Sequence, residues 1–129
     1  MLELLLVDPD PIGRTLTRYL IQQQYGSEIQ INELPNGYEA LDYVKRDSKP
    51  DIVLMPIDMP DLNGVDAAIE MRSKGYSGPI ILWTKKEELL HDFQVADPVN
   101  FLMELESANS RRVLEVLGNY ISKNRKLIS

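Results

Sequence analysis

Five short apolar runs recur along the chain, each followed by a segment with helical spacing of its apolar residues: Leu2 to Val7, Ile29 to Leu34, Asp51 to Ile57, Ile80 to Thr84 and Val99 to Met103. A strand open to water on one face alternates apolar and polar residues, whereas the first run is nearly continuous leucine, as a strand covered on both faces requires. Strands of that kind alternating with helices predict a (βα)5 chain, an α/β fold with a doubly wound five-stranded parallel sheet between two helical layers. The second run, with Ile29, Ile31 and Glu33 on one side, reads as less buried than the first.

The intervening segments carry helix signals. Pro11 suits a first helical turn, Ile12, Leu16, Tyr19, Leu20 and Gln23 recur at three- and four-residue steps, and Gly26 closes the helix. Such a stripe is expected to turn toward the core. Asn36-Gly37 opens a second helix with Ala40, Leu41 and Val44 on one face, and the Pro- and Gly-rich loop Met59 to Gly64 precedes a third, from about Val65 to Lys74. A short helix is expected around Glu87 to Gln94. The last helix, capped by Ser107 or Asn109, would present Val113, Leu114, Leu117, Tyr120 and Ile121.

At 129 residues, 43% hydrophobic and 26% charged, the chain has the size and balance of one globular domain, 1–129. No apolar run is long enough to span a bilayer, and Glu3 and Asp8 interrupt what would have to be a secretory signal. The absence of cysteine excludes disulfides and thiolate metal sites and fits a cytoplasmic location. Twenty acidic against fourteen basic residues give a net charge of -6, which repels a phosphate backbone unless basic residues cluster. Only the tail clusters them, as Arg111, Arg112, Lys123, Arg125 and Lys126, and these read as the solvated face of the last helix. Neither membrane nor nucleic acid is therefore an expected partner of this domain alone. His91 has no cysteine or second histidine for a metal site, and no Gly-rich phosphate loop or Ser-His-Asp set is present.

In a doubly wound sheet, ligands bind beyond the carboxyl ends of the strands, where strand order reverses. Those exits read Val7-Asp8-Pro9-Asp10-Pro11, Met55-Pro56-Ile57-Asp58-Met59-Pro60, Trp83-Thr84-Lys85 and Met103-Glu104-Leu105. Here the chain resembles the response-regulator receiver family (CheY-like), the phosphoacceptor domains of two-component phosphorelay signalling. The resemblance covers about residues 2 to 122. It is carried by Pro50-Asp51-Ile52-Val53-Leu54-Met55 running into Met59-Pro60-Asp61-Leu62-Asn63-Gly64, by Asn36-Gly37-Tyr38-Glu39-Ala40-Leu41, and by Pro79-Ile80-Ile81 before Thr84. It implies a flavodoxin-like fold with strand order 2-1-3-4-5.

The resemblance also implies a site: an acidic pair after the first strand holding Mg²⁺, an aspartate ending the third as phosphoacceptor, a Ser/Thr after the fourth and a Lys after the fifth. Cation and ammonium would offset charge developing on the phosphoryl group. Asp8 falls on the first acid, but Pro9 takes the second, Pro56 the phosphoacceptor and Glu104 the lysine; Thr84 keeps the hydroxyl, and Phe101 fits the switch-aromatic position. Asp10 is offset by one residue, which turns its side chain elsewhere. No cofactor is expected, at most weak Mg²⁺ or Ca²⁺ binding through Asp8 and Asp58.

The expected function is that of a degenerate receiver, or pseudo-receiver: a non-enzymatic, phosphorylation-independent module acting by protein-protein interaction. Its partner, a signalling protein, an output domain or a second copy, would dock on the face of the fourth helix, fifth strand and fifth helix. The alternatives are a true receiver phosphorylated at the displaced Asp58, and a flavodoxin-type small-ligand binder, which Asp8 and Asp10 disfavour by repelling a phosphate. Trp83 either packs in the core or anchors an interface.

Overall fold

The computed structural model describes residues 1–45, 49–84, 114–115 and 117–122, together with the backbone of 101–105. Along the chain these form β1 (Leu2–Val7), α1 (Pro11–Tyr25), a 3-10 turn (Gly26–Glu28), β2 (Ile29–Leu34), α2 (Gly37–Lys45), β3 (Ile52–Pro56), α3 (Gly64–Ser73), β4 (Ile80–Thr84) and β5 (Phe101–Leu105). Residues 117–122 are helical. The sheet is parallel throughout, in the order β2-β1-β3-β4-β5. The chain thus steps outward from β1 to β2, then returns past β1 to β3 and continues the other way, which places the reversal of strand order between β1 and β3.

Period-two alternation explains why the central strands are apolar throughout. Leu5, Val7, Val53, Met55, Ile80 and Leu82 join Ala40, Leu41 and Val44 of α2 and Val65, Ala67, Ala68 and Met71 of α3 in one core. Leu4, Leu6, Ile52, Leu54 and Ile81 point the opposite way, into a second core with Ile21 of α1, Leu117 and Ile121. Trp83, Leu114 and Tyr120 pack against that second core, Trp83 only partly buried. At the sheet edge only Ile29 of β2 is buried, in keeping with its mixed sequence.

α1 begins as its sequence signals indicate and then differs in phase. Asp10 is its N-cap, accepting from the Ile12 N–H at 3.1 Å, Pro11 sits in the first turn, and Gly26 closes the helix with φ 56°. Most of the expected inward stripe, however, faces water: Ile12, Leu16 and Tyr19 are 79%, 52% and 55% exposed and Gln23 is exposed as well, while Leu20 is half-buried. At about 100° per residue, Ile12 lies about 180° round the helix from Ile21, the helix's one fully buried side chain. The side turned to the sheet carries Arg14 and Arg18, which reach the β2 edge and pair with Glu33 at 3.4 and 2.8 Å. Their aliphatic stems cover apolar surface while their heads reach the carboxylate.

At the end of the sheet away from the strand exits, Glu3, Asn32, Tyr43 and Asp51 form a polar network. Asn32 donates to Glu3 Oε1 and to the Tyr43 hydroxyl at 2.8 and 3.0 Å, Tyr43 donates to the same carboxylate, and the Glu3 N–H donates to Asp51 at 2.7 Å. Burial, with the Glu3 carboxylate second, pushes the Tyr43 phenol up to about 12.

β5 starts and ends two residues later than its sequence indicated, so Glu104 lies within the strand. The expected helix at 87–94, the caps Ser107 and Asn109, Val113, His91 and the basic tail residues lie outside the described residues.

Candidate functional site at the strand exits

Strand register sets which exits stand side by side. Leu6 pairs with Leu54, so Asp8 and Pro56, each two residues further on, leave the sheet at one level. Pro56 pairs with Trp83 and Trp83 with Glu104, while Thr84, one residue beyond, pairs with Leu105. The rim therefore runs Asp8, Pro56, Trp83-Thr84 and Glu104-Leu105 across four strands. Phe101 lies lower, opposite Ile80. The side chains of Phe101 and Glu104 are outside the described residues.

Asp8 is only 6% exposed, and each of its polar groups is engaged. Its N–H donates to the Leu34 carbonyl at 3.0 Å, its carbonyl accepts from Arg14 Nη1 at 2.7 Å, and its Oδ1 accepts from the Asp10 N–H at 2.9 Å. Arg14 bonds Glu33 through its Nε, so one guanidinium ties the exit of β1 to the end of β2. Arg14 and Glu33 were not singled out in the sequence; the available signal was an arginine one helical turn past the N-cap with an acid near the end of the next strand. Asp10 is exposed and spent on capping α1. Pro9 is half-buried.

Pro56 is buried at the last position of β3. The next residue, Ile57, is tied on both sides: its N–H donates to the Trp83 carbonyl and its carbonyl accepts from the Gly64 N–H, both at 2.8 Å. Asp58 is exposed, and the loop then passes through Asp61, in the left-handed region with φ 69°, to Asn63, whose Oδ1 caps α3 from 2.9 Å. Thr84 is buried at the end of β4.

The receiver family's Mg²⁺ does not fit this donor set. Mg²⁺ takes six oxygens in octahedral array, usually with one or two carboxylates. Pro9 and Pro56 offer no side-chain oxygen, Asp8 spends one carboxylate oxygen on an amide, and among the described residues no three His, Cys, Asp or Glu side chains converge on a cation site.

Residues 4–101 match the response regulator receiver domain, and the chain belongs to that family. It is 28% identical over 129 residues to the sensory transduction protein LytT of Bacillus subtilis, covering 99% of this chain and 52% of LytT. It is 35% identical over 126 residues to the positive alginate biosynthesis regulatory protein of Pseudomonas aeruginosa, covering 96% of this chain and 49% of that protein. This chain thus spans about half the length of these curated relatives. Among solved structures it resembles the response regulator TrrA of Thermotoga maritima in complex with Mg²⁺-BeF, with TM-score 0.77 and 28% identity over 93% of this chain and 99% of that one. It also resembles TrrA in the complex with the histidine kinase ThkA, with TM-score 0.71 and 27% identity over 93% of this chain and 98% of that one. The fold is thus flavodoxin-like and CheY-like, the receiver fold of two-component signalling. Among the described residues no helix is long and apolar enough to cross a membrane.

Proposed function

We propose that this chain is a pseudo-receiver: a single receiver domain that signals by binding other proteins without being phosphorylated and without catalysing a reaction. The observation that carries this reading is Pro56, buried at the end of β3 and level with Asp8. A pyrrolidine ring has no oxygen to attack a phosphodonor. Pro9 removes a metal ligand, and Glu104 sets a negative charge where the family places an ammonium, so the three departures act in one direction.

The site's remaining polar groups fit a structural role. Asp8 is held by Arg14, Leu34 and the Asp10 amide, which fixes the β1 exit without a cation. Relatives are sensory transduction and regulatory proteins, and one similar receiver binds a histidine kinase. By extension, a cytoplasmic signalling protein or an attached output domain is the partner here; of the face expected to receive it, only the backbone of β5 and part of the closing helix lie among the described residues.

Asp58 offers the rival reading, because it is exposed and reachable by a phosphodonor two residues past Pro56. At these exits Pro9 takes the place of the second acid that helps hold the cation and Glu104 that of the lysine, so the two sources of positive charge that offset a phosphoryl group in the family are missing.

The mapping is tested by restoring what it says is missing. Pro9→Asp, Pro56→Asp and Glu104→Lys together should create Mg²⁺ binding that wild type lacks, read by Trp83 fluorescence or calorimetry. A folded triple variant with no gain in Mg²⁺ affinity would mean that these positions do not form one pocket.

A further inference from the structure

A proline ends the central strand of the sheet, where a residue without an N–H removes a ladder hydrogen bond. Successive residues of a strand turn their N–H and C=O groups to opposite neighbours. Val53 and Ile57 turn theirs to β4, donating to the Pro79 and Trp83 carbonyls at 3.0 and 2.8 Å, so position 56 faces β1. Asp8 donates to Leu34 of β2 at 3.0 Å, so Val7 faces β3. The amide at position 56 is therefore the one a regular ladder would give to the Val7 carbonyl, and proline has none. In keeping with this, β1 pairs with β3 only from Leu4 to Leu6, opposite Ile52 to Leu54, although β1 continues to Val7 and β3 to Pro56. On its other side β1 stays paired with β2 through Val7.

The two sides of this seam are braced separately. Arg14 ties the Asp8 carbonyl to Glu33 of β2, and the Asp10 N–H holds the Asp8 carboxylate. On the other side the Ile57 carbonyl accepts from the Gly64 N–H, and Gly64 packs too close to the Pro56 carbonyl to admit a methyl group, which locks the end of β3 to the start of α3. Val7 itself is fully buried, and a buried carbonyl without a donor is costly until water or another donor reaches it. We propose that the seam between β1 and β3 is unlatched at the rim and opens locally there. The ends of β1, β2 and α1 form one side of the opening and those of β3, β4 and α3 the other, while the pairs from Leu4 to Leu6 stay closed. The break falls where strand order reverses, and it gives the domain two rim states between which a binding partner selects. This holds whether or not Asp58 takes a phosphoryl group.

Amide hydrogen exchange followed by NMR on the full chain tests the proposal at three N–H groups of one level. Asp8 bonds β2 and Ile57 bonds β4, whereas the pairing of Leu6 with Leu54 directs the Val7 N–H across the seam to the Leu54 carbonyl. Val7 should exchange faster than Asp8 and Ile57 by about tenfold or more, the factor that one hydrogen bond is worth. Its rate should not change in dilute urea, the mark of local opening. Pro56→Ala returns the missing N–H and should slow Val7 by about the same factor, roughly tenfold, while Ile57 keeps its rate. Val7 protected as strongly as Asp8 and Ile57 in wild type overturns the proposal by itself, even if the variant does not fold. A Val7 rate that a folded Pro56→Ala leaves unchanged also overturns it, since the looseness then belongs to the strand end and not to the absent donor.

Discussion

Gly64 has no room for a methyl group. A Cβ there would stand 2.1 Å from the Pro56 carbonyl oxygen and 2.9 Å from the Ile57 Cα, backbone that cannot swing aside. Gly64→Ala must push the start of α3 off β3, and the expected loss is about 1–3 kcal/mol, the range for overpacking, read from urea denaturation. Tyr43 makes a prediction of another kind. Folding raises its phenol from 10.0 to about 12, so folding favours the protonated form. Its contribution is complete below pH 10 and is lost as pH climbs toward 12. Stability measured across that window should fall more steeply in wild type than in Tyr43→Phe, while at pH 7 the variant should be weaker by about 0.5–1.5 kcal/mol for the lost bond to Glu3. Tyr76, raised mainly by burial, titrates in the same direction and accounts for alkaline loss that remains in the variant.

At the scale of the elements, the sharpest contrast lies within α1. Ile21→Ala should cost about 2–5 kcal/mol, because it empties a fully buried site, whereas Leu16→Ala should stay within about 0.5 kcal/mol of wild type. A periodicity count weighs hydrophobicity alone and favours the opposite result. It could not see that Arg14 and Arg18 would turn inward for Glu33, an acid brought near only by β2 pairing with β1. Elsewhere the elements were legible. Leucine throughout β1 announced burial on both faces, the mixed β2 announced an edge, and Ala40, Leu41 and Val44 of α2 are buried as their spacing indicated. β5 moved by two residues because Met103, Glu104 and Leu105 offer no turn signal to mark where pairing with β4 stops.

For the whole molecule, alternation of strands and helices was enough to give the parallel sheet, and the family resemblance gave its order. The level of the exits was not legible, since it depends on register: only pairing shows that Asp8 and Pro56 end their strands side by side, with Trp83 and Glu104 next in line. Nor could sequence show that Asp8 is braced by Arg14 and by backbone from two other segments. The central claim is that this rim takes up no phosphoryl group. Its most direct test is intact-mass spectrometry after incubating the full chain with acetyl phosphate and Mg²⁺, with Asp58→Asn alongside. The mass should be unchanged in both; a phosphoryl adduct on wild type, above all one that Asp58→Asn abolishes, would contradict it.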